Sequence, residues 1–94
     1  MSITDAINLF IFHDLFARVL KTQGSGIHIG TGKVLVEGLG EMITGNMVTI
    51  MITDFTIGLW NAYAHNSNST IYESTNFDDV INATLDFYAK QKNG

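Results

Sequence analysis

The run from Asn46 to Ala64, NMVTIMITDFTIGLWNAYA, carries one charge, Asp54, among β-branched and aromatic residues. Such a run fits a half-buried pleated surface and little else. Its alternation changes phase once. Val48, Ile50 and Ile52 share one parity, and Phe55, Ile57 and Leu59 share the other. Successive side chains of a strand point to opposite faces, so the phase change needs a cause. A hairpin turning at Thr53-Asp54 would set Ile52 opposite Phe55, Ile50 opposite Ile57 and Val48 opposite Leu59. A β-bulge near Thr53 would instead let one long strand continue. Thr-Asp is poor chemistry for a type I′ turn, yet an unbroken strand would far exceed the usual ~5–6 residues. The hairpin is therefore the preferred expectation, with the bulge still open. Either way the run is the centre of an antiparallel sheet. Tyr63 shares parity with Phe55 and Leu59, which sends Trp60 to the outer face as a candidate interface anchor, unless a helix of the same chain covers it.

Before this run, Ile27-His28-Ile29, Gly30-Thr31-Gly32 and Lys33 to Glu37 read as strand, tight glycine turn and strand. The glycine-spaced stretch from Gly38 to Gly45 reads as a loop or a sharply twisting strand, and Gly45-Asn46 as a turn into the central run. After it, His65-Asn66-Ser67-Asn68-Ser69 is a loop rich in short polar side chains. Thr70 to Ser74 is a short last strand.

Two helices flank the strands. Ser2 is placed to cap the first, with Asp5 in the reciprocal position of a capping box. The helix is expected to run to about Lys21 or Thr22, with Gly24-Ser25-Gly26 stopping it. Leu9, Phe12, Phe16, Val19 and Leu20 make one apolar face, while Ile3, Ile7, Phe10 and Ile11 point largely elsewhere. A helix apolar on two sides is expected to be buried on two sides. The second helix starts at Thr75 or Asn76, with Asp78 and Asp79 against the positive end of its dipole. Phe77, Val80, Ile81, Thr84, Leu85 and Tyr88 form a single buried stripe, opposite Asp79, Asn82, Asp86 and Lys90.

Composition narrows the functions available. The net charge is −4, with only Arg18, Lys21, Lys33, Lys90 and Lys92 basic. Nucleic-acid binding through a basic patch is not expected, because phosphate neutralisation supplies most of that affinity. With no cysteine there is no disulfide framework or thiolate chemistry. The N-terminal segment lacks the basic start and cleavage site of a secretory leader. Asp5, Asn8, His13 and Asp14 interrupt it too soon for a membrane span. A cytoplasmic protein is the expectation. Between Gly38 and Tyr72 the only charges are Glu41 and Asp54. So little charge over thirty-five residues suggests that part of the segment is core and part is covered by another subunit.

No motif carries chemistry. Gly32-Lys33 would need glycine at 27 and Ser or Thr at 34 for a phosphate loop, and the chain has Ile27 and Val34. The three glycine pairs at 24/26, 30/32 and 38/40 each miss the third glycine of a dinucleotide fingerprint. His13, His28 and His65 lie in different elements without ligand spacing. Asp14 beside His13 reads as a solvated carboxylate, and no serine sits in a nucleophile elbow. No catalytic residue, metal ligand or cofactor site is expected.

These readings lead to one α+β domain spanning residues 1–94, with an N-terminal helix, four or five antiparallel strands and a C-terminal helix. The expected function is a small acidic, non-catalytic protein-interaction module that associates with itself and with a second protein. Its size matches small phage or mobile-element inhibitors of host proteins. The expected interface is Ile3, Ile7, Phe10, Ile11 and Trp60. The alternative is a dimeric binder of a small ligand in an apolar pocket between sheet and helices.

Overall fold

The computed structural model describes residues 1–20 and 26–93. The elements in chain order are α1 (Ile3–Phe12), β1 (Phe16–Leu20), β2 (Gly26–Gly30), β3 (Gly32–Val36), β4 (Gly40–Thr44), β5 (Val48–Asp54), β6 (Leu59–Ala64), β7 (Ser69–Ser74) and α2 (Phe77–Asn93). The fold is α+β. Five strands form an antiparallel sheet in the order β1-β2-β5-β6-β7, and β3 and β4 form a separate two-stranded hairpin. Both helices pack on one face of the large sheet, α1 against β1 and β2, and α2 against β6 and β7.

The first helix is shorter than expected. The Ser2 hydroxyl accepts from the Asp5 amide at 3.0 Å, and the Asp5 carboxylate accepts from the Ser2 amide at 3.2 Å, so the capping box is present. Phe16, Val19 and Leu20 of the expected apolar stripe lie beyond Phe12, but the helix does not reach them. The Asp14 amide donates to the Ile11 carbonyl and the Leu15 amide to the Phe10 carbonyl, both at 3.0 Å. Asp14 takes φ +64°. These are the bonds of a Schellman stop, with Leu15 and Phe10 closing it inside the core. The chain then reverses into β1, whose five residues pair in unbroken register with β2. Pairing and burial beside Ile27 and Ile29 outweigh a weak helical preference. The expected stop at Gly24-Ser25 lies outside the described residues.

The glycine turn also differs from its expectation. β2 and β3 are both strands, but they do not pair. β2 lies between β1 and β5, and β3 pairs with β4. Thr31 is a bend at which the chain leaves the sheet. A side chain at Gly30 would collide with the Ile43 Cγ2 methyl and the Thr44 carbonyl, so glycine there lets β4 cross close over the end of β2. The Thr31 hydroxyl accepts from the Asn46 amide at 3.0 Å and ties off the return into β5.

The phase change in the central run has two parts. The register of β5 on β6 shifts between Ile52 and Asp54, and Phe55–Gly58 then make the turn. Gly58 supplies a positive φ of +67°, and the Asp54 carboxylate accepts from the Thr56 amide at 2.9 Å. The pairs are Ile52 with Trp60, Ile50 with Ala62 and Val48 with Ala64, not with Phe55, Ile57 and Leu59 as expected. Phe55 and Ile57 are exposed on the turn.

This pairing reverses the expected face of Trp60. It shares the helix-side face with Ala62 and Ala64, is half-buried against the core, and sits 4.6 Å from the Phe77 ring of α2. The core holds Ala6, Phe10 and Leu15 with Ile27, Ile29, Val48, Ile50, Ala62, Ala64, Val80, Ile81 and Tyr88. The stripe on α2 is the expected one. Asn76 caps the helix, its side-chain oxygen accepting from the Asp79 amide at 3.2 Å. Burial pushes the Tyr88 phenol above its ordinary value. Its hydroxyl donates to the Asn46 carbonyl at 2.6 Å.

Candidate interaction surface

Of the five residues expected at an interface, only Ile11 is openly exposed. Phe10 is wholly buried in the chain's own core, and Ile3, Ile7 and Trp60 are half-buried against it. Apart from Phe55 and Ile57 on the β5–β6 turn, the most exposed apolar side chains lie at the end of α1 and on the β3–β4 hairpin. Phe12 is 80% exposed, Leu35 81% and Leu39 73%, with Ile11, Phe16, Val19, Val34 and Met42 also exposed. Local structure explains this concentration. The Schellman stop leaves Ile11 and Phe12 beyond the last residue that packs on the sheet. The hairpin has only two strands, so it cannot bury both of its faces.

A cleft of about 470 Å³ lies at the junction, lined by Ile11, Leu15, Phe16, Ala17 and Ile43 with the charged Asp14, Arg18, Lys33 and Glu41. The Lys33 ammonium is 3.3 Å from the Glu41 carboxylate and 5.4 Å from the Phe16 ring centroid. The Arg18 guanidinium donates to the Glu41 carbonyl at 2.8 Å. The Arg18 bond and the Lys33–Phe16 contact tie the hairpin to β1, and Lys33 and Glu41 pair across the hairpin itself.

The opposite face of the sheet is polar. His28 and His65, remote in sequence, come together there with ring centroids 6.2 Å apart. The Thr49 hydroxyl and His65 Nε2 are 2.6 Å apart, and the Tyr63 ring stands edge-on to His65 at 5.2 Å. Partial burial, then the charges of Arg18 and His65, hold the His28 imidazole below its ordinary value. His13 caps α1, far in role from the other two, and its ring meets Phe12. The Asp5 carboxyl is lowered by the Ser2 amide and hydroxyl. None of Asp5, His28 and Tyr88 lines the cleft. Among the described residues no three His, Cys, Asp or Glu side chains stand together as a metal set.

No sequence signal singled out the hairpin tip. Leu35 falls in the expected strand Lys33 to Glu37, and Leu39 sits among glycines that read equally as loop or strand. Their exposure follows from β3 pairing outward with β4 instead of back onto β2. Among the described residues no helix is long and apolar enough to cross a membrane. Comparison with protein families, with characterised proteins and with solved structures finds no match to the chain.

Proposed function

We propose that the protein is a non-catalytic interaction module that associates with itself through the apolar surface at the end of α1, on β1 and on the β3–β4 hairpin. The observation that carries this reading is the exposure of Ile11 and Phe12 at the end of α1, Phe16 on β1, and Val34, Leu35, Leu39 and Met42 across both faces and the turn of the hairpin. Exposed apolar surface in this amount marks interaction sites. The aromatics Phe12 and Phe16 are the side chains best suited to anchor it. The four charges around the cleft balance, so the surface does not repel its own copy although the chain carries −4. Inhibition of another protein, the activity suggested by size, would use the same surface.

Leu35→Asp and Phe12→Asp test the reading. Both side chains are exposed, so neither substitution opens the core. Each is expected to shift the wild-type assembly to monomer in size-exclusion chromatography while leaving the far-UV spectrum unchanged. Assemblies of unaltered size in both variants would overturn this surface.

The cleft itself supports a second reading. Its volume falls within the ~300–1,000 Å³ of small-molecule pockets, and its floor is apolar. A small apolar ligand would then seat against Leu15, Phe16 and Ile43. Saturable binding of an apolar fluorescent probe to the Leu35→Asp variant, abolished by Ile43→Asp in a chain that still folds, would favour it over self-association.

A further inference from the structure

We propose that β1 is the seam of this self-association: β1 of one copy pairs antiparallel with β1 of a second, joining two five-stranded sheets into one. The inference rests on the self-association reading and specifies its geometry.

The large sheet has two edges, and they differ. β7 carries Ser69, Thr70 and Glu73, shifts register against β6 between Ala62 and Tyr63, and is covered by α2. A charge, a bulge and a covering helix are the devices by which natural edges avoid pairing. β1 carries one charge and has α1 packed beside it, but it has no bulge against its neighbour. Its five residues, FARVL, pair with β2 without a shift and contain no proline. Its one charge, Arg18, is turned to the hairpin carbonyl of Glu41. The cleft is bounded by β1-segment residues of both parities, Phe16 and Arg18 on one face and Leu15 and Ala17 on the other. It therefore opens along the free edge of β1 and not over a single face.

A two-fold axis normal to the sheet pairs residues of equal parity, each surface meeting itself. A register centred on Arg18 would set two guanidinium groups directly opposite, which like charges disfavour. A register centred on Ala17 puts the small residue on the axis. Phe16 then faces Arg18 of the second copy on the open side, and Leu15 faces its Val19 on the helix side. Two cations and two carboxylates line each cleft, so the approach of two acidic chains is not opposed locally. A standard dimer buries about 800 Å² per partner, about one-seventh of the 5711 Å² surface of this chain. Phe16 and Val19 on β1, and Ile11 and Phe12 at the end of α1, are the exposed apolar side chains available to such an interface.

The chain has no cysteine, so single cysteines report proximity without a background. Opposed residues on paired strands have Cα atoms ~4.5–5.5 Å apart, within disulfide reach. The full chain with Ala17→Cys is oxidised mildly at micromolar concentration beside Tyr72→Cys, which places the thiol on β7. The expected result is a disulfide-linked dimer from Ala17→Cys and none from Tyr72→Cys. A second variant, Val19→Lys, puts an ammonium on the exposed edge and is expected to sediment as a folded monomer. A dimer that survives Val19→Lys but dissociates in Leu35→Asp would overturn the β1 seam and leave self-association standing. Linkage through position 72 instead of 17 would overturn the seam too, and a wild-type monomer would overturn both.

Discussion

Asp14 determines where α1 ends, and it does so without the residue that usually marks such an end. A left-handed C′ position is normally glycine. Here a side chain sits at φ +64° with backbone bonds from its own amide and that of Leu15 closing the helix. Asp14→Gly should therefore raise stability by about 0.5–1 kcal/mol, and Asp14→Val should lower it by ~1–3 kcal/mol. Urea midpoints of the two variants check the order, and equal midpoints would contradict it. This residue also explains why the end of the helix was hidden. Phe12, Phe16, Val19 and Leu20 fit a helical stripe, while Phe16 to Leu20 fits a strand equally well, and only pairing with β2 decides between them. The reciprocal cap at Ser2 and Asp5 was legible because both partners are local. At the same scale, His28 links stability to pH. Its folded value lies below the ordinary 6.5, so the unfolded chain binds the proton more readily. Its contribution is complete above pH 6.5 and declines as pH falls through the lower folded value. His28→Gln should flatten that part of the stability profile, measured by denaturant midpoints from pH 7.5 to 5. A profile of unchanged slope would contradict the burial argument.

Among the elements, α2 was the most legible and the β5–β6 pair was legible in type but not in register. The stripe Phe77, Val80, Ile81, Thr84, Leu85 and Tyr88 needs only the helical period to be read. Its opposite face is solvated, with the exposed Asp86 and Lys90 pairing at 2.9 Å. Ile81 is fully buried, so Ile81→Ala should cost roughly 2–5 kcal/mol. Asp86→Ala should stay within about 0.5 kcal/mol, because an exposed pair stabilises little. Comparable losses in urea melts would place the helix in the wrong phase. In β5–β6 the phase change was visible as parity, but a bulge and a four-residue turn share it. That combination moves every later partner, and Trp60 passes from the expected outer face to the core side. The β3–β4 hairpin is not legible as a separate unit because its cause is a long-range contact. Gly30 leaves room for Ile43, and no local pattern announces that crossing.

For the whole molecule, two helices cover one face of the sheet, and the opposite face is polar enough to meet water. The charge-poor segment from Gly38 to Tyr72 is thereby partly explained: β5 and β6 supply core, while Leu39 and Met42 remain open beside Leu35. A surplus of apolar side chains was therefore legible, but their position was not. Its location depends on how α1 stops and how the hairpin leaves the sheet. We propose that this surplus joins two copies. Sedimentation equilibrium of the unmodified chain over micromolar concentrations tests it most directly. The expected result is a reversible rise from the 10.3 kDa monomer to twice that mass. A mass that stays at 10.3 kDa across the range would contradict it.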